Sequence, residues 1–202
     1  LPQTYFWIGE LSYKMGKIDV AIEHLDKYIQ DPIEIGEITI KHANYTLGYC
    51  HLKNNNYPKA LQLFTIAADF NPYAESSAYQ KDALVRLSDC QFMTKQYKQA
   101  LKSYQKIIDL GWKFEDYANL QKAIIYGALG LNKEKLKILT SYDKDFSQSN
   151  YLSDARMELA DTYTSKEQFQ EAISPLSKVL EDKKATEFYP LAFYKLGIVY
   201  FN

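Results

Sequence analysis

The sequence predicts an all-α fold made of repeated helical hairpins, and three observations carry that prediction. Small residues recur in pairs twelve positions apart. The pairs advance along the chain by 36 to 40 residues. Around them, apolar residues follow the three- and four-residue spacing that gathers one face of a helix.

The pairs are Gly9 and Ala21, Gly48 and Ala60, Ser88 and Ala100, and Ala160 and Ala172. Ala21 to Ala60 is 39 residues and Ala60 to Ala100 is 40, whereas Ala100 to Ala172 is 72, or two steps of 36. A fourth hairpin is therefore expected between them, with Ile124 and Leu136 in its small-residue places. A sixth begins at Gly197, 37 after Ala160. The repeats span 2–35, 41–74, 78–112, 117–145, 153–184 and 188–202 in one array, the last reduced to its first helix.

Within each hairpin a polar or glycine-containing break separates two helices: Met15-Gly16, Lys53 to Asn56 and Thr94 to Gln96. Pro32 and Pro72 follow second helices, where proline commonly ends a helix. Pro58 sits near the start of one, where its missing N–H costs little. Pro175 falls inside a second helix and is expected to kink or break it. Glycine inside a helix costs about 1 kcal/mol relative to alanine. Its return at Gly9, Gly48 and Gly197 implies that the partner helix approaches too closely for a side chain. Larger residues such as Leu25, Phe64, Tyr104 and Leu176 fill the groove around that contact.

Leu47-Gly48, Tyr57, Ala60, Phe64, Ala67 and Pro72 resemble the tetratricopeptide repeat in order and spacing. The resemblance covers nearly the whole chain and implies a right-handed superhelical array, an α-solenoid, whose first helices line a concave face. Two departures stand out. The repeat is longer than the family's usual length, and the fourth unit is degenerate at Ile124, Leu136, Thr140 and Asp143. The segment from Asn71-Pro72-Tyr73 to Ile107, and Ser149 to Leu180, look like the long-repeat proteins of Gram-negative envelopes, of the outer-membrane-assembly and Tol-Pal accessory kind. That likeness favours a periplasmic or outer-membrane-associated location, with the cytoplasm left open.

By the same resemblance, positions flanking the motif glycine point into the groove. They are Phe6, Glu10, Tyr13, Tyr45, Tyr49, Leu52, Val85, Asp89, Phe92, Met157 and Asp161. Aromatic and acidic residues suit an extended peptide or a partner helix. The alternative stays open that several of these tyrosines pack between neighbouring repeats. The family members that clamp a chaperone's terminal carboxylate use lysine, asparagine and arginine. Here the corresponding places hold Phe6, Glu10, Thr46, Asp82 and Arg86, of which only Arg86 fits, so that role is set aside.

Composition narrows the function classes. The 202 residues are 47% hydrophobic and 24% charged, with a net charge of -1. Such a balance offers no long-range field for nucleic acid, and Arg86 and Arg156 are the only arginines. The longest apolar stretch, about Ala123 to Leu131, is far short of the roughly 20 residues of a membrane span. The chain starts at Leu1-Pro2 without a leader and stops inside an apolar helical pattern, so it reads as a piece of a longer protein. Leu191 to Phe201 is then expected to be covered by further chain, by a partner or by self-association.

No catalytic, metal or cofactor site is expected. Cys50 and Cys90, in adjacent first helices about 9 Å apart, lie beyond the ~7 Å reach of a disulfide and read as small buried residues. His42 and His51 diverge around one helix. Asp143-Lys144-Asp145 lacks the glycine and distal glutamate of a calcium loop and reads as a solvated turn. The leading reading is a non-enzymatic scaffold that binds a peptide or protein segment. A glycan-binding envelope protein and a self-assembling repeat protein are the alternatives.

Overall fold

The computed structural model describes residues 1–70 and 76–202. Pro72 and the Asn71-Pro72-Tyr73 segment lie outside the described residues. The described residues form successive helical hairpins, grouped in two compact units, Leu1–Trp112 and Lys113–Asn202. Unit 1 holds three hairpins: α1 (Pro2–Lys14) with α2 (Ile18–Gln30), α3 (Ile40–Lys53) with α4 (Tyr57–Ala67), and α5 (Ala78–Met93) with α6 (Tyr97–Asp109). Unit 2 holds α7 (Glu115–Ala128) with α8 (Asn132–Asp145), α9 (Leu152–Ser165) with α10 (Phe169–Glu181), then a 3-10 turn (Thr186–Phe188) and α11 (Tyr189–Phe201).

One turn geometry is repeated in all five hairpins. The first helix ends in a residue with positive φ, seven positions after the small residue: Gly16, Asn55, Lys95, Gly130 and Glu167. The next N–H then reaches back five positions, as in Lys17 to Ser12, Asn56 to His51, Gln96 to Gln91, Leu131 to Tyr126 and Gln168 to Tyr163. This Schellman arrangement satisfies carbonyls that the helix end would otherwise orphan. Local caps fix several starts. Thr39 accepts from the His42 N–H, Asn56 accepts from Lys59, and Ser77 forms a capping box with Gln80.

The close approach inferred from the glycines is present in hairpins 1 and 2. A methyl group on Gly9 would collide with the Leu25 side chain. One on Gly48 would lie 2.8 Å from the Phe64 ring. Around these points Phe6, Leu25, Tyr28, Ala43, Leu47 and Leu63 form one continuous core cluster. At Gly197 nothing lies within 4 Å of the equivalent methyl, so no close approach accounts for that glycine.

Three local expectations are corrected. In the fourth hairpin the positive-φ Gly130 sets the register, so the small position is the fully buried Ala123 and not Ile124. Its partner twelve residues on is Lys135, not Leu136. The Lys135 side chain runs past Gly127 and donates to Glu158 on α9 at 2.7 Å. Pro175 does not break α10; the helix is continuous from Phe169 to Glu181. Ala172, Pro175, Leu176 and Val179 are buried together on its packed face. Apolar burial of about 1.5–3 kcal/mol per large side chain outweighs a local penalty of roughly 3 kcal/mol.

The third correction concerns Asp143-Lys144-Asp145, which forms the last turn of α8 rather than a turn between repeats. Asp143 receives Arg156 at 2.9 Å and Lys178 at 2.8 Å, tying α8 to α9 and α10. Burial disfavours the carboxylate, yet the hydrogen bonds from Lys178 and Arg156 outweigh it and hold its pKa below the usual carboxylate value.

Two predictions follow from packing and charge. Gly197→Ala should raise unfolding free energy by about 0.5–1 kcal/mol, because the site is open and alanine favours helix. Gly48→Ala should lower it by about 1–2 kcal/mol, since overpacking against Phe64 exceeds the propensity gain. Urea unfolding of both variants reads the opposite signs. Asp143→Asn should cost about 1 kcal/mol at neutral pH after allowance for solvent screening. Because the folded pKa is depressed, this difference is full above the unfolded carboxylate pKa and vanishes as pH falls through the folded one. A pH series of unfolding midpoints for the two proteins measures it.

Candidate functional site

The first helices of unit 1, α1, α3 and α5, bring a run of aromatic rings together. Tyr13 on α1 lies 6.1 Å from Tyr49 on α3, centroid to centroid. Tyr49 is edge-on to Tyr45 at 5.1 Å, and Tyr45 is 5.7 Å from Tyr79 on α5. Tyr79 stacks on His42 at 4.8 Å with the planes 7° apart. All five side chains are half-buried. The α3 members fall at i, i+3 and i+7 (His42, Tyr45, Tyr49), which is one helical face.

Beneath the rings a polar network links α3, α5 and α6. Tyr45 Oη donates to Asp82 Oδ2 at 3.0 Å, and Tyr49 Oη donates to the same oxygen. Arg86 approaches Asp82 at 3.4 Å and pairs with Asp89 at 2.6 Å. Tyr104 donates to the other Asp89 oxygen at 2.5 Å. Burial first, then the Asp82 charge, raises the Tyr45 pKa well above its ordinary value. Burial and the hydrogen bond to Asp82 do the same for Tyr49. Both hydroxyls therefore stay protonated donors at physiological pH.

The residues expected in the groove separate into two groups. Phe6 is fully buried, edge-on to Tyr28 at 5.4 Å and to His42 at 5.3 Å, and presents no surface to a partner. Val85 is fully buried and Met157 nearly so; both belong to the core. Glu10 is 7% exposed and accepts from Thr46. Tyr13, Tyr45, Tyr49, Leu52, Asp89 and Phe92 keep part of their surface on unit 1. Asp161 is an exposed residue of unit 2 that pairs with Lys195 on α11. Tyr79, Asp82 and His42 complete the surface, although only Asp82 figured in the sequence reading of the groove. The signal for Tyr79 was its place one turn before Asp82 on α5.

The remaining reactive side chains are occupied structurally. Cys50 and Cys90 are free and fully buried, and burial pushes both thiols up to about 12. Thiols held so high carry little thiolate, the nucleophilic form. Among the described residues, no group of three or more His, Cys, Asp or Glu side chains could hold a metal ion. Also among them, no helix is long and apolar enough to cross a membrane.

Comparison with known proteins agrees with this architecture. A tetratricopeptide-repeat family model matches residues 8–75, and a second matches residues 82–110. No curated protein matches the sequence. Among solved structures, YrrB, described as a tetratricopeptide protein with an unusual peptide-binding site, is 20% identical with a TM-score of 0.69. That match covers 94% of this chain and 89% of YrrB. MamA 41-end from Desulfovibrio magneticus RS-1 is 14% identical with a TM-score of 0.73, over 92% of this chain and 96% of that one. The apo form of RapI is 14% identical with a TM-score of 0.73, over 97% and 83%. At these identities the likeness establishes the fold alone. The matched family models are general ones and lend no support to the Gram-negative envelope sub-family. Residues 8–75 and 82–110 thus match tetratricopeptide-repeat models, and the chain shares the all-helical repeat fold of these solved structures.

Proposed function

We propose that this chain is a non-enzymatic scaffold that holds a peptide or protein segment on the face built by α1, α3 and α5. The contiguous aromatic surface from Tyr13 to Tyr79 carries the reading. Rings of this kind offer large contact area at small conformational cost, and tyrosine is enriched in protein interfaces. Leu52, Phe92 and Asp89 extend the surface on the same helices. Tetratricopeptide proteins bind proteins or peptides, and the peptide-binding YrrB shares the fold. An envelope location rests on the sequence resemblance alone.

A second reading, self-association, has its own support. On α11, Phe193, Tyr194, Tyr200 and Phe201 are 62% to 91% exposed, an unusual concentration of apolar surface on one helix. Light scattering that rises with concentration in the native protein, and not in a Phe193→Ser, Tyr200→Ser variant, identifies it.

The scaffold reading is tested by photo-crosslinking in cells from position 49, followed by mass spectrometry. A dominant protein adduct is expected. The double substitution Tyr45→Ala, Tyr49→Ala should then weaken capture by about tenfold or more, in keeping with loss of central aromatic contacts. Unchanged capture by a variant with intact helical circular dichroism would place the binding surface elsewhere.

A further inference from the structure

We propose that the inner face of unit 1 selects an extended, proline-containing segment that carries lysine or arginine. The inference rests on the scaffold reading and narrows it to one ligand chemistry.

The first argument is the direction and spacing of the rings. Tyr13, Tyr49, Tyr45, Tyr79 and His42 follow one another at 6.1, 5.1, 5.7 and 4.8 Å. Three of them lie along α3, and Tyr13 on α1 and Tyr79 on α5 extend the run to either side. A ligand on them meets half-buried aromatic side chains at short intervals, since helical backbone offers no free strand edge. β-strand addition is therefore unavailable on these helices. A polyproline II segment suits the surface. It needs no main-chain partner, is already extended, and loses little conformational freedom on docking against aromatic faces. An amphipathic helix would need a continuous apolar groove, and here Asp82, Arg86 and Asp89 interrupt it.

Charge supplies the second argument. The half-buried carboxylates of the face, Asp82 and Asp89, stand against one arginine, Arg86, so their formal charge is two negative and one positive. Arg86 sits closer to Asp89, at 2.6 Å, than to Asp82, at 3.4 Å. Asp82 is thus the more loosely paired of the two with Arg86, and it receives the hydroxyls of Tyr45 and Tyr49. A cation arriving there meets both the carboxylate and the faces of the adjoining rings, where cation–π attraction adds to the ion pair. An acidic segment would meet like charge in a half-buried setting, which costs more than at an open surface.

The test is fluorescence anisotropy of the intact chain against three labelled dodecapeptides. One alternates proline with small residues and carries two arginines; the second replaces the arginines by glutamate; the third replaces the prolines by alanine. The first should bind at least about tenfold tighter than either other, and its affinity should fall as salt is raised. Asp82→Asn keeps the acceptors for Tyr45 and Tyr49 while removing the charge. It should reduce discrimination between the arginine and glutamate peptides by about fivefold or more. Equal or tighter binding of the alanine or the glutamate peptide overturns the proposal. So does binding of soluble oligosaccharide in place of all three peptides. If no peptide binds while crosslinking from position 49 yields a protein adduct, this ligand class is wrong and the scaffold reading stands. If both fail, both are wrong.

Discussion

The packing of the first two hairpins depends on a glycine of the first helix that leaves room for a large side chain of the second. At Gly9 the Leu25 side chain occupies the space a methyl would need, and at Gly48 the Phe64 ring does so. The cost of glycine in a helix, about 1 kcal/mol, is small beside the burial it permits. Leu25 and Phe64 are each fully buried because the small residue leaves them room. The repeated Schellman turn holds the contact in register by ending each first helix seven residues after it. Three of the five positive-φ positions are Asn55, Lys95 and Glu167, so the demand of the turn is met even without glycine, at some cost in strain.

The same contact determines the surface. When the second helix lies close on one side of the first, the opposite side is left to face along the unit. In unit 1 this aligns α1, α3 and α5 and brings side chains 33 to 37 residues apart in sequence within hydrogen-bonding reach, as Tyr49 and Tyr45 are to Asp82. Hydroxyls committed to a buried carboxylate orient their rings, and the oriented rings form the surface. Arg86, which alone matched a carboxylate clamp, is engaged with Asp82 and Asp89. An incoming carboxylate would have to compete with both.

The legible part of the structure was the part governed by period. Twelve-residue pairs located the hairpins, and helical spacing located their packed faces. The fourth hairpin shows the limit. Equal steps of 36 pointed to Ile124 and Leu136, whereas Gly130 at the turn places the pair at Ala123 and Lys135. Turn chemistry outranks average repeat length, because one residue of slip rotates a helix by about 100°. Lysine at an alanine position hid the repeat, and only the structure supplies its partner, Glu158. The break expected at Pro175 failed for a related reason: a local rule was weighed without the buried face of Ala172, Leu176 and Val179.

Surface and core were harder to tell apart at the aromatic positions. Phe6 and Tyr49 both lie on first helices and both point toward the next repeat, yet Phe6 is sealed by Tyr28 and His42 while Tyr49 is not. The difference lies in the polar tip. A phenylalanine loses nothing by full burial, whereas a tyrosine hydroxyl must find an acceptor or water. Asp82 provides that acceptor for Tyr45 and Tyr49 from the neighbouring helix, as Asp89 does for the fully buried Tyr104. The tyrosines are thus neither plain packing residues nor free binding residues. Their rings close the junction between α3 and α5 on one side and keep part of their surface exposed on the other, and one carboxylate receives both hydroxyls.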